Sequence, residues 1–212
     1  MGTFKKGIMG GFTGKVGSIV GSSWNGVTVM KSLPKDRKGG FSDSQLQQQA
    51  KFALIIKFLQ PLSDFMNLAY KKVASRMTGF NKVLSDNLRG AITGVYPAFT
   101  VDYPKVLLSK GSLTGATTAT AASAAAGKLT FTWTDNSGSG KALSSDLVFV
   151  AAYNEELNHW IFFPNAAARN AGTYTLDVTG LSGKTVQTYI GFISADRTRT
   201  ANSMYTGAVV VL

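Results

Sequence analysis

Apolar positions recur every three or four residues over the stretch from about 42 to 92 of this 212-residue chain, and every second residue beyond position 104. That change of period predicts helices followed by strands. In Ser42-Asp43-Ser44-Gln45, Gln follows Ser by three, the start signal of a capping box. The helix it opens is expected to run to Leu59, where Pro61 ends or kinks it. Leu46, Ala50, Ala53 and Leu54 trace one face, while Phe52, Ile55, Ile56, Phe58 and Leu59 surround much of the rest. A lone helix in water does not carry that much apolar surface. A second helix is expected over about 62–75, with Leu62, Phe65, Met66, Ala69 and Val73 as its stripe and Gly79 as its break. A third is expected over about 81–92, through Leu84, Leu88 and Ile92. Three short helices cannot cover the first one. Burial against the β half, or against another chain, is therefore expected.

Residues 95–104 read as a connector with Tyr96-Pro97 and Tyr103-Pro104. Strands are then expected over 105–109, 128–134, 147–153, 159–163, 173–178, 185–194 and 203–211. Turn signals separate them, among them Asn136-Ser137-Gly138-Ser139-Gly140 and Leu181-Ser182-Gly183-Lys184. Seven short strands at this spacing predict an antiparallel sandwich. The Ala/Thr/Ser-rich run 114–126 suits an irregular edge or an extended connection.

Residues 1–41 fit neither period. They hold ten glycines, of which Gly7, Gly14 and Gly21 recur every seven. Glycine at this density opposes an isolated helix, at about 1 kcal/mol each relative to Ala. A hairpin around Asn25-Gly26 is the better reading, since that dipeptide favours a two-residue type I′ turn. Packing of small residues on a helix through Gly14, Gly17 and Gly21 is the alternative. Either form would need a partner to become ordered. The expected organisation is a basic Gly-rich arm (1–41), a helical region (42–94), a connector (95–104) and a sandwich (105–212), an α+β chain. A fragment beginning near Tyr103 is expected to fold alone as a soluble β-rich monomer.

Two resemblances follow from particular stretches. Leu129-Thr130-Phe131-Thr132-Trp133 is similar to the second strand of a fibronectin type III or immunoglobulin-like domain, with its core tryptophan. The run from Leu181 through Thr185 to Tyr189-Ile190-Gly191-Phe192-Ile193 resembles the tyrosine-corner strand of the same domains. This implies a fold and no particular activity. The chain also resembles a bacterial family of unknown function found mainly in Bacteroidota. The stretches that carry this are Gly7–Ser23, Trp24, Lys31-Ser32-Leu33-Pro34, Ala50-Lys51-Phe52-Ala53, 106–111 and 190–196. No catalytic residue comes with it. It implies that arm, helices and sandwich form one unit.

Charge sharpens the division. Residues 1–110 carry 16 Lys+Arg against 5 Asp+Glu, and residues 111–212 carry 6 against 6, so the whole +11 belongs to the first half. Such a field attracts polyanions or an acidic neighbour. Lys5, Lys6, Lys15, Lys31, Lys35, Arg37 and Lys38 are the candidate polyanion contacts. Phe4, Phe12, Trp24 and Phe41 are interleaved with them. Basic plus aromatic suits single-stranded nucleic acid. It equally suits apolar anchors docking into a neighbour, and the absence of an RNA-binding strand motif favours docking. With Phe52 and Ile56 from the first helix, these four aromatics are the candidate assembly residues.

The residues for catalysis are scarce. There is no cysteine, and His159 is the only histidine. No Gly-x-Ser-x-Gly elbow precedes a helix. The adjacent Glu155 and Glu156 lie in an expected hairpin turn, an unsuitable geometry for opposed carboxyls. Asp135-Asn136-Ser137-Gly138 lacks the later glutamate of a calcium loop, and no phosphate-loop pattern occurs. Lys6 stands where a myristoylation signal wants Ser or Thr. Glycines interrupt the N-terminus before any continuous apolar run, so no secretory signal is expected, and no window is long enough for a transmembrane helix. The expectation is a non-enzymatic, self-assembling structural protein without metal or cofactor, such as a bacteriophage virion component, located in a virion or a cytoplasmic assembly. Its partners would be copies of itself or other structural subunits. The alternative is a nucleic-acid-associated protein binding through its basic half.

Overall fold

The computed structural model describes residues 3–4, 10–24, 26–35 and 39–212. The chain divides into two units, Met1–Asp43 and Ser44–Leu212.

The first unit is an antiparallel meander of β1 (Thr3–Phe4), β2 (Phe12–Val16), β3 (Ile19–Trp24) and β4 (Val27–Ser32), in that order across the sheet. The segment expected as an arm thus has strand pairing of its own. Trp24 pairs with Val27, so β3 and β4 form a hairpin where the sequence predicts one; Gly26 has φ +81°, and Asn25 lies outside the described residues. A second two-residue turn, Gly17-Ser18, joins Val16 to Ile19 and sets Gly14 opposite Gly21. The seven-residue glycine spacing is therefore a hairpin register and not a helical packing motif. Gly21 is required by closeness: a Cβ there would lie 2.3 Å from the carbonyl oxygen of Phe12 and 2.7 Å from its ring.

In the second unit the helices are α1 (Asp43–Leu59), α2 (Ser63–Ala69) and α3 (Gly79–Gly90), with a single 3-10 turn at Gln60–Leu62 where Pro61 interrupts the first two. The helix expected over 62–75 ends earlier, at Ala69, whose carbonyl accepts a 2.7 Å hydrogen bond from Thr200 Oγ1. Gly79 opens α3 where a break was expected, behind the N-cap Thr78, whose side chain accepts from Asn81 N. The expected connector is partly a hairpin, β5 (Ile92–Val95) with β6 (Ala98–Val101), which takes Ile92 out of the third helix.

Seven strands follow: β7 (Ala119–Ala125), β8 (Lys128–Trp133), β9 (Leu147–Asn154), β10 (His159–Ala168), β11 (Thr173–Asp177), β12 (Thr185–Ile193) and β13 (Met204–Val210). They form a three-stranded sheet, β11-β8-β7, and a four-stranded sheet, β10-β9-β12-β13, every pair antiparallel. This is the sandwich expected of an immunoglobulin-like domain. Leu129, Phe131 and Trp133 of β8 face Val148, Val150 and Ala152 of β9 and Ile190 and Phe192 of β12 across its interior. The strand expected at 105–109 does not form. Asn87 bonds both backbone groups of Leu107 through its side chain, and Ser203 Oγ takes the N–H of Leu108, so side chains replace a ladder.

The four-stranded sheet is covered on both faces. Phe149, Ala151 and Tyr153 of β9, Trp160 of β10 and Tyr189 of β12 point away from the sandwich interior, into a second core with Ile55, Phe58, Leu59, Phe65, Met66 and Val83 of the helices. The unit therefore has three layers: sheet, sheet, helices. Tyr189 is accordingly not a tyrosine corner. Its position in β12 faces the helical core, and its hydroxyl donates to the carbonyl of Tyr103, 86 residues away.

A buried ion pair closes one end of the sandwich. The Arg169 guanidinium, fully enclosed, donates to Asp146 Oδ2, to Asn136 Oδ1 and to the carbonyl of Thr114, and lies 3.8 Å from the ring centre of Phe192. Its own carbonyl accepts from Trp133 Nε1 at 2.7 Å.

Candidate assembly surface and a cationic groove

The pairing pattern assigns the meander's side chains to faces, because directly opposed residues share one. Phe12, Val16, Ile19, Met30 and the two paired glycines lie on one face, which carries no charged residue among those described. Lys15, Val20, Trp24, Val27, Val29 and Lys31 lie on the other. Among the described residues, both faces expose apolar side chains. Trp24 and Val27 are each 59% exposed and Met30 65%, while Val16 and Ile19 are also exposed. Among the described residues of 1–43, no large apolar side chain is buried; the buried set begins at Ile55. An isolated meander without such burial is marginal at best in water.

The candidate assembly residues fare differently. Trp24 and Phe41 are exposed in the first unit, and Phe12 is half-buried with its ring against Gly21. The side chain of Phe4 lies outside the described residues. Phe52 is exposed on α1. Ile56 is partly buried, packed against the helical core of its own chain. Of the candidate polyanion contacts, Lys15, Lys31 and Lys35 are exposed, and Lys5, Lys6, Arg37 and Lys38 lie outside the described residues.

The sequence reading missed a second concentration of charge. A groove of about 870 Å³ in the second unit runs between the turn after α2 and the loop joining β12 to β13. Lys71, Lys72, Lys110, Arg197 and Arg199 line it, with Asp196 as its single carboxylate. Asp196 accepts hydrogen bonds from Ser194 Oγ and from the Thr198 N–H and hydroxyl, which hold its carboxyl down at about 2. Lys110 pairs with Asp86 at 3.1 Å; among the described residues, Lys71, Lys72, Arg197 and Arg199 make no ion pair. The signal in the chain was weak. Arg197 and Arg199 belong to a half whose net charge is zero, and only folding brings them beside the lysines.

Comparison with known sequences decides the kinship. Residues 11–207 match the family described as "Family of unknown function (DUF6266)". The chain belongs to that family. The matched span takes in the meander from β2 onward, the helices and nearly all of the sandwich, so a DUF6266 chain has both units. None of the curated proteins compared matches it. Among solved structures, the fn3 domain of human collagen alpha-1(XX) chain, determined in solution, is similar at 12% identity and a TM-score of 0.33, over 48% of this chain and 89% of that one. Among the described residues, no helix is long and apolar enough to cross a membrane, and no group of three or more His, Cys, Asp or Glu could hold a metal ion.

Proposed function

We propose that the chain is a non-enzymatic structural protein that self-assembles into a multi-subunit particle or filament, as a bacteriophage virion component or a related bacterial particle does. One observation carries this reading: the N-terminal meander is hydrogen-bonded as a sheet yet exposes apolar side chains on both faces. Exposed apolar surface of this kind marks an interaction site. The favoured occupant is a second copy. The face bearing Phe12, Val16, Ile19 and Met30 has no described charge to repel its own kind. Two faces that expose apolar side chains, and the open edge of β4, allow each subunit more than one neighbour, which an extended assembly requires. The second unit would then be displayed.

Sedimentation of the full chain over a range of concentrations, with negative-stain images of the fast fraction, tests this. A concentration-dependent series ending in regular particles or filaments is expected. A monomer at every concentration would refute it.

The second reading, polyanion binding through the basic N-terminal half, is favoured by one feature of the opposite face. Lys15 and Lys31 flank Val20 there, and Trp24 shares the face, a basic and aromatic combination. Loss of nucleic-acid binding on changing Lys15, Lys31 and Lys35 to Gln would favour that reading.

A further inference from the structure

We propose that the groove between the turn after α2 and the β12–β13 loop binds a single-stranded nucleic acid. Its phosphates would lie along the five cations, and a base would enter the adjoining apolar pocket.

Charge is the first support. Five cationic side chains line one groove against a single lining carboxylate, Asp196; Lys110 is paired with Asp86, while among the described residues Lys71, Lys72, Arg197 and Arg199 make no ion pair. Cations crowded on a surface without counter-charge repel one another, and a bound anion removes that cost. Guanidinium groups, from Arg197 and Arg199, suit phosphate recognition because their planar forks offer paired donors. Lys71 and Lys72 approach from the other wall as mobile point charges.

Size and polarity narrow the ligand. At about 870 Å³ the groove is much larger than one phosphate, so it suits a chain of charges. Leu68, Ala69 and Val73 give it an apolar strip. A second pocket of about 360 Å³, walled mainly by Leu62, Phe65, Phe162 and Pro164 and lined also by Asp64 and Asn165, shares Leu68 and Arg197 with the groove. Charged groove and apolar pocket are thus neighbours with common walls. A nucleic acid strand alternates the same two chemistries, phosphate and planar base, and base contact with apolar or aromatic side chains tolerates any sequence. This site uses none of the lysines of the first unit, Lys15, Lys31 and Lys35 among them, and does not depend on the assembly reading.

The test uses the full chain, a labelled oligo-dT, an abasic oligonucleotide of equal length and inorganic polyphosphate, with anisotropy read from low to high salt. Binding of oligo-dT should weaken linearly in log–log salt. Replacing Lys71, Lys72, Arg197 and Arg199 by Gln should reduce the slope by about 3, at roughly 0.7 per single-strand phosphate contact. These residues are exposed or half-exposed, so circular dichroism should be unchanged. Phe162→Leu should weaken oligo-dT by about fivefold or more and leave the abasic strand unaffected. Phe162→Ala, if folded, should do the same. No binding of oligo-dT at low salt would overturn the proposal. So would a slope untouched by the four changes, or equal affinity for oligo-dT and polyphosphate.

Discussion

Trp160 Nε1 donates a 2.7 Å hydrogen bond to the carbonyl oxygen of Phe58, tying β10 to the end of α1 across 102 residues of sequence. The two rings also pack, their centres 5.0 Å apart, with Tyr153 against both. Helices and sandwich therefore share a core, and the outward side of the four-stranded sheet is built for the helices and not for water. A fragment starting near Tyr103 should misfold or aggregate, because it bares Phe149, Tyr153, Trp160 and Tyr189. A fragment starting at Ser44 should fold. Circular dichroism and size-exclusion of the two check this. Trp160→Phe in the full chain should cost about 1–3 kcal/mol, since it leaves a buried carbonyl without its donor.

How far this was readable in the chain depends on the element. The alternation in β8 and β11 was plain, because one parity is apolar and the other is Thr, Lys or Asp. β9 reads Leu-Val-Phe-Val-Ala-Ala-Tyr, apolar at both parities. A sandwich strand with one wet face would carry polar residues at alternate positions, so the partner of the expected helix burial was legible there. The groove was not legible, because Lys71 and Arg197 are far apart in sequence and only folding places them on one groove, where Thr200 Oγ1 bonds the Ala69 carbonyl at the end of α2. The meander's register was half legible: Asn25-Gly26 marks one hairpin, while Gly17-Ser18 is a weaker signal.

Arg169→Ala should be severely destabilising, by about 3–5 kcal/mol, because it strands the enclosed Asp146 carboxylate without its cation. Chemical denaturation of the fragment from Ser44 would measure it. Changing Arg169 to Met together with Asp146 to Leu should recover much of the loss, since the uncompensated buried charge is then gone.

Four carboxylates, Asp86, Asp135, Asp177 and Asp196, are held low by hydrogen bonds and give the fold a defined acid limb. Burial opposes ionisation of Asp86, but hydrogen bonds from Lys82 and Lys110 outweigh it and hold its carboxyl below the ordinary range. Asp196 is held lower, at about 2, by Ser194 and Thr198. For a carboxyl lowered by folding, the unfolded chain binds protons first. Its stabilisation is complete above about pH 4 and lost as pH falls through the folded value. Melting temperature should fall from about pH 4 downward, and carbon-detected NMR should show Asp196 still titrating near 2. A midpoint for Asp196 in the ordinary range would contradict the loop geometry.

Trp24→Ala should weaken self-association more than Lys15→Ala or Lys31→Ala. A large exposed aromatic that becomes buried at an interface is worth about 2 kcal/mol or more, against ~0–1 kcal/mol for a surface charge pair. Sedimentation equilibrium of the three variants decides between them; equal association constants would remove Trp24 as an anchor.

The central claim is that the meander assembles and the second unit is displayed. Light scattering coupled to size-exclusion, run on the full chain and on a fragment from Ser44 at the same concentrations, tests it most directly. The account predicts large, concentration-dependent species for the full chain and a folded monomer for the fragment. A monomeric full chain, or a fragment that forms the same species as the full chain, would contradict it.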